Sequence, residues 1–220
     1  NPASGSYCSF FFLPEPFVFS FDPNRVKSQT EIFTPPFIHV PHDNHEPVPN
    51  GIYVSITGIA GLRKLFDRVH ELGMQLYCPP QIRDLEGAIN SYPPEFVSNP
   101  NIKYLFGRTG WSTAWLSHIT GTPLITPPYS RGDDPEIYFN EKTITKLGLG
   151  VIFDETKRPE EVLEAADALI PNMQKVNRRL TETYGTLDGI DYTANVIVDV
   201  LQGKDISLYR QVNPVLQDSE

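Results

Sequence analysis

From Asn50 onward, short apolar runs of strand length alternate with segments of helical period, and this alternation restricts the chain more than any other feature. The apolar runs predict strands at 51–56, 75–78, 102–106, 124–126 and 151–153. Between them, amphipathic spacing predicts helices at 61–72, 83–90, 111–119 and 136–147. Pro159 marks the first turn of a later helix with Val162, Ala166, Leu169 and Ile170 on one face, and another helix is expected over 191–201. Strands and helices in this order predict an α/β fold, a Rossmann-like and mostly parallel sheet with helices on both faces.

The first 49 residues have a different character. Nine of the 21 prolines and eight of the 13 phenylalanines precede Asn50, and Gly5 is the only glycine there. Proline fixes φ and removes a backbone donor, so 14-LPEPFVFSFDP-24 and 34-TPPFIHVPHDNHEPVP-49 are read as extended chain or edge strand that packs its aromatic rings on something else. The expected organisation is residues 1–49 as an extended Pro/Phe-rich segment, then residues 50–220 as the Rossmann-like domain with C-terminal helices.

Charge narrows the partners. Eighteen Lys+Arg against 27 Asp+Glu leave a net charge of -9, so no global positive field is available for a nucleic acid backbone. Cys8 and Cys78 are the only cysteines, too few for a disulfide framework and without zinc spacing, which suits a reducing, cytoplasmic compartment. No apolar run approaches the ~18 residues needed to span a bilayer. Lys175, Arg178 and Arg179 read as a solvated helix face, with membrane contact at most peripheral.

In a parallel sheet the ligand crevice lies beyond the carboxyl ends of the strands, so the loops there carry the candidate chemistry. In 55-SITGIAGLRKLF-66, Ser55, Thr57, Gly58 and Gly61 lie between a strand and a helix, suited either to a diphosphate or to a plain tight turn. The spacing is GxxG rather than GxGxxG, which disfavours a nicotinamide or flavin cofactor. In 107-GRTGWST-113, Gly110 permits close approach, Thr109, Ser112 and Thr113 bring hydroxyls, and Arg108 brings charge for phosphate oxygens; capping by Thr109 or Ser112 is the competing reading. In 127-PPYSRGDDPEIYFNEK-142, Asp133, Asp134 and Glu136 crowd a helix start, either to accept hydrogen bonds from sugar hydroxyls or with Asp134 as a cap. Gly148 reads as a helix C-cap.

Taken together, 108-RTGWST-113, 121-GTPLITPP-128, 134-DPEIYFN-140 and 147-LGLGVIF-153 resemble the carboxyl-terminal, donor-binding half of glycosyltransferases of the GT-B fold, whose members show HGGxxS/T, then GxP, then an acidic residue with a downstream Asn, then GxG. The resemblance spans roughly 50–203. It implies that Gly58 and Gly61 line the phosphate side, that Gly110, Trp111, Ser112 and Thr113 cradle a nucleotide diphosphate, and that Glu136 and Asp134 meet the transferred sugar while Asn140 fixes their loop. Arg108 stands where the family usually has His, Thr109 replaces its first Gly, and Glu136 replaces Gln.

The resemblance further implies a substrate rather than a cofactor, a UDP-linked nucleotide diphosphate sugar, with transfer to an acceptor hydroxyl and no metal. Asp133 and Asp134 are adjacent and form no Asp-x-Asp element. Such an enzyme needs an acceptor domain, which 49 residues cannot form, so residues 1–49 are expected to be a linker or the remnant of an acceptor domain, with the acceptor half or subunit coming from elsewhere and the catalytic base unassigned. An epimerase of the same fold and a non-catalytic scaffold are the alternatives. His39, His42 and His45 recur every third residue, but Pro41 and Pro47 exclude a regular helix and with it a shared metal face. His118 and Cys78 are read as packed residues.

Overall fold

The computed structural model describes residues 10–17, 28 and 30–212; Cys8 and the stretch 18–27 of the first Pro/Phe segment lie outside the described residues. The chain begins with two short strands, β1 (Phe11–Pro14) and β2 (Glu31–Thr34), paired in parallel. An extended segment then leads into β3 (Gly51–Val54), α1 (Leu62–Glu71), β4 (Gln75–Tyr77), β5 (Ala88–Ile89) and a 3-10 turn at Pro94–Ser98. Next come β6 (Ile102–Phe106), α2 (Trp111–Thr120), β7 (Leu124–Thr126), α3 (Pro135–Leu147) and β8 (Gly150–Ile152). Helices α4 (Pro159–Asp167), α5 (Ile170–Tyr184), α6 (Gly189–Leu201) and α7 (Ser207–Gln211) complete the described chain.

The central sheet is wholly parallel, in the order β5-β4-β3-β6-β7-β8. Side chains alternate across it, as the pleat requires. Ile52 and Val54 of β3 face a core with Leu65 and Val69 of α1 and Val162 and Ala166 of α4. Tyr53 points the other way, into a core with Ala114, Trp115 and Leu116 of α2, Ile144 of α3 and Met173 and Leu180 of α5. The sheet is therefore covered on both faces. Because the path from β3 runs one way through α1 and the path from β6 runs the other way through α2, the strand order reverses between β3 and β6. The Rossmann-like α/β architecture expected from the sequence is the one observed.

Two expectations are corrected. The helix expected over 83–90 does not form: the chain turns and contributes only β5, and Ile82 and Leu85 from the loop and Ala88 from β5 pack on the α1 side. Apolar residues three apart fit a loop laid across a core as well as a helix, and Gly87, at φ 75°, takes a left-handed conformation that no helix holds. The single face drawn from Val162 to Ile170 is likewise split, since α4 ends at Asp167 and α5 opens with Pro171 in its first turn. Proline has no N–H for a preceding carbonyl, which fixes the break.

The segment before β3 lies against the α/β unit. Phe17 and Phe33 are buried in the core on the α2 side. Edge-to-face contacts run from Phe12 to Phe37 and from Phe37 to Trp115, which stacks on Trp111 with centroids 5.9 Å apart. The amide of Gly189 donates to the Pro36 carbonyl at 3.0 Å. A Cβ on Gly189 would stand 2.3 Å from the carbonyl oxygens of Pro35 and Pro36, so this approach requires glycine. Farther along, Asn99 Nδ2 donates to the Glu46 carbonyl and Tyr92 Oη to the Glu46 carboxylate. Among the described residues no helix is long and apolar enough to cross a membrane.

Candidate functional site

The strand reversal puts two loops side by side at the carboxyl rim, the one leaving β3 at Ser55 and the one leaving β6 at Gly107. Their backbones are joined there: the Ser55 amide donates to the Phe106 carbonyl at 2.8 Å, and Ser55 Oγ to the same oxygen at 3.2 Å. A Cβ on Gly107 would meet Ser55 Oγ at 2.3 Å and Thr113 Cγ2 at 3.0 Å. Gly107 is thus the residue that lets the rim close, whereas the sequence pointed to Gly58, Gly61 and Gly110, and to those for close approach to an anion. Its signal was the position directly after the apolar run.

Helix α2 starts at this rim with Gly110 as its N-cap, extended at φ -60° and ψ 152°, and no side chain caps it. The capping alternatives for Thr109 and Ser112 are therefore not realised. Thr109 is buried and donates its hydroxyl to the Ile137 carbonyl at 3.1 Å, while Asn140 Nδ2 donates to the Thr109 carbonyl at 2.7 Å. These two residues latch the rim loop onto α3. Trp111 turns back onto Trp115, and Ser112 and Thr113 are left facing a cleft.

That cleft, of about 810 Å³, is lined by Ser55, Ser112 and Thr113, by the extended stretch around Phe37 and His39, by the turn at Pro94 and Glu95, and by Ile190 of α6. The stretch from Phe37 to Asn44 that walls it was expected to be extended, but nothing in the sequence located it here. It is pinned by Ser98 Oγ donating to the His42 carbonyl and by His39 Nδ1, 2.9 Å from Asp188 Oδ2. The hydrogen bond to Asp188 holds the His39 pKa above its ordinary value. Asp191 also lies beside this pair, so His39 groups with two aspartates.

The remaining candidates fall elsewhere. Arg108 spends Nη1 on Asp133, at 2.6 Å, and on the Pro128 carbonyl, at 3.3 Å, tying the third loop to the second. Asp134 is the N-cap of α3 with Pro135 behind it, yet its side chain makes no capping bond. The Glu136 carboxylate comes within 3.1 Å of a Cβ position on Gly110, so an acid stands at the N-cap of α2. Burial raises the Glu141 pKa, opposed by the Tyr129 amide, which it accepts at 2.5 Å, and by Arg108. Thr57 and Gly58 line a second cleft, of about 560 Å³, on the α1 side with Arg63, His70 and Asp84. Gly61 sits against Glu155, whose Cβ would lie 2.7 Å from an added Cβ. The Gly58 and Gly110 turns leave adjacent strands but face different hollows.

Two residues read as packed are so. His118 is 1% exposed on the inner side of α2, edge-to-face with Phe17, and burial drives its pKa down to about 3. Cys78 is buried at the end of β4, where burial pushes its thiol pKa up.

No family model matches the sequence, and no curated protein sequence matches it. Solved structures do. A glycosyltransferase of kitacinnamycin superposes with a TM-score of 0.58 at 14% identity, over 82% of this chain and 51% of that one. The glycosyltransferase SnogD from Streptomyces nogalater gives 0.54 at 16% identity, over 79% and 50%. Phytolacca americana UGT2, solved with UDP-2-fluoro-glucose and pterostilbene, gives 0.53 at 12% identity, over 79% and 48%. The fold is one half of the GT-B fold. This chain spans about half the length of the GT-B structures it matches.

Proposed function

We propose that this domain is the donor-binding half of a glycosyltransferase and holds a nucleotide diphosphate sugar, UDP-linked, in the larger cleft at the strand reversal. The observation that carries the reading is the amino end of α2 lying beside Ser55, with the hydroxyl-bearing Ser55, Ser112 and Thr113 together lining one cleft. The amides at a helix start and the helix dipole favour an anion there, and two hydroxyls add donors. A Phytolacca americana relative in fold, solved with UDP-2-fluoro-glucose, supports the class of ligand.

In such a reaction the acceptor oxygen forms a bond to the anomeric carbon as that carbon's bond to the distal phosphate oxygen breaks. Negative charge then grows on the departing diphosphate, and donors already aimed at it lower the barrier because they need not reorganise. The acceptor's proton passes to a base supplied by an acceptor half from elsewhere. In this reading Glu136, whose carboxylate stands beside the N-cap of α2, accepts hydrogen bonds from the sugar. Arg108 acts indirectly here, by holding the Asp133 loop against the rim.

Arg108 being tied to Asp133 favours a second reading, a domain that binds the nucleotide without turnover. Calorimetry with UDP, GDP and uridine tests the first. UDP binding well above uridine supports a diphosphate site, and no heat at millimolar UDP rejects it. Sugar transfer on addition of an acceptor half separates the enzyme from the silent binder.

A further inference from the structure

A histidine and two aspartates from distant parts of the chain meet at the edge of the larger cleft. His39 comes from the extended stretch between β2 and β3, Asp188 is the N-cap of α6, and Asp191 lies in the first turn of that helix. Each offers one ligand atom, and the three atoms lie within 4.8 Å of one another, the only such group of three among the described residues. His42 and His45 are not part of it. The recurrence of histidine at every third residue therefore does not build the group; the fold does, by bringing His39 to α6.

The distances suit a metal ion. Two donors about 2.1 Å from one ion stand about 3.0 Å apart at a right angle and about 3.4 Å apart at the tetrahedral angle. His39 Nδ1 lies 2.9 Å from Asp188 Oδ2. Asp191 is exposed and closes the remaining distance by a change of rotamer. The backbone beneath the three is anchored. The Asp188 amide donates to Thr186 Oγ1 at 3.0 Å, and Asp188 Oδ1 accepts the Asp191 amide at 2.9 Å. The Pro36 carbonyl, three residues before His39, accepts the Gly189 amide at 3.0 Å and the Ile38 amide at 2.7 Å. Little ordering is left for an ion to impose.

Among the described residues neither aspartate has a lysine or arginine partner, so two carboxylates face one imidazole. A divalent cation balances that charge. Imidazole nitrogen together with carboxylate oxygen selects zinc and its first-row neighbours, whereas magnesium and calcium take oxygen ligands. Helix capping requires Asp188 alone, and a surface ion pair requires His39 with Asp188. A metal engages Asp191 as well, and that difference can be measured.

We propose that His39, Asp188 and Asp191 bind one divalent transition-metal ion, Zn²⁺ foremost, with solvent completing its coordination, and that the ion staples the extended stretch walling the larger cleft to α6. The staple joins residues 149 apart in sequence, so it closes a long loop. His39 and Ile190 both line the cleft, and a bound ion fixes that wall. The ion takes no part in sugar transfer, and the site stands whether or not the cleft holds a nucleotide.

The test titrates Zn²⁺ into the EDTA-stripped and desalted chain by calorimetry. Expected is one ion per chain with saturation in the micromolar range, and no heat from Mg²⁺ or Ca²⁺ at the same concentrations. His39→Ala and Asp191→Asn should each weaken Zn²⁺ at least tenfold, while melting in EDTA stays within about 2 °C of the parent, since both side chains are exposed. His45→Ala, exposed and outside the group, should change affinity less than twofold. Zn²⁺ at a hundredfold excess over its dissociation constant should raise parent melting by about 5 °C and leave His39→Ala unmoved. Co²⁺ in place of Zn²⁺ should show no thiolate charge-transfer band, which separates this site from binding at cysteine. Absence of binding at submillimolar Zn²⁺, affinity that survives either His39→Ala or Asp191→Asn, or a thiolate band overturns the proposal.

Discussion

Neither α1 nor α2 carries a side-chain cap, but on the α1 side of the sheet the Gly58–Gly61 turn meets its own chain, with Gly61 wedged against Glu155, whereas on the α2 side the Gly107–Gly110 turn sets the helix start beside the Ser112 and Thr113 hydroxyls. Both turns follow a strand, open a helix and use glycine, and both border a cleft. The difference lies in what glycine makes room for. At Gly61 the missing Cβ admits another loop, and at Gly107 it admits the Ser55 side chain that joins β3 to β6. The second arrangement brings three hydroxyls, those of Ser55, Ser112 and Thr113, to one open space.

The largest expected effect is from Gly107→Ala. Its methyl would overlap Ser55 Oγ, 2.3 Å away, and force the rim apart. Overpacking of this kind costs roughly 1–3 kcal/mol. Melting should fall by about 3–10 °C for a chain of this size, and UDP affinity by more than tenfold in calorimetry. Next comes the double change Ser112→Ala with Thr113→Val, which removes two donors to a charged group. A loss of about 2 kcal/mol, near thirtyfold for UDP, with uridine changed less than twofold, would sharpen the contrast between the sides. Equal losses for both ligands would break it.

A third substitution separates the stability of the α2 side from its chemistry. Among the described residues neither ring nitrogen of buried His118 has a hydrogen-bond partner, a cost of roughly 1–3 kcal/mol. His118→Leu should raise melting by about 3–8 °C and leave UDP binding alone. The same residue sets an acid limb. Folded His118 binds its proton only near pH 3, whereas an unfolded histidine binds near 6.5. The unfolded state takes up the extra proton, so stability falls as pH drops through that window, and the leucine variant should flatten the fall. The smallest effect belongs to Gly58→Ala. Space there is open, but φ is +76°, so only the left-handed strain of about 1–2 kcal/mol applies and UDP affinity should hold within twofold. A larger loss of UDP at Gly58 than at Gly107 would reverse the comparison.

The sheet was legible because its signals are local. The run 102-IKYLF-106 is apolar and followed by glycine, and it became β6 with the bounds expected. The site was legible only as residue types. A glycine at φ 75° beside Glu155 and one beside Ser55 look alike in sequence, since the partners lie 94 and 52 residues away. Arg108 shows the same gap: a cation next to a glycine suggests phosphate, but Asp133, 25 residues on, claims it at 2.6 Å. The wall from Phe37 to Asn44 was invisible for the opposite reason. Its prolines specify an extended shape but not what that shape lies against, and the pairing of His39 with Asp188, 149 residues away, settles that.

The central claim is most directly tested by amide hydrogen exchange with and without UDP. Slower exchange confined to Ser55 and to residues 111–114 at the start of α2 is the expected result. Protection instead at 57–59, 63–70 and 84–87, the lining of the α1-side cleft, or no change at saturating UDP, would contradict it.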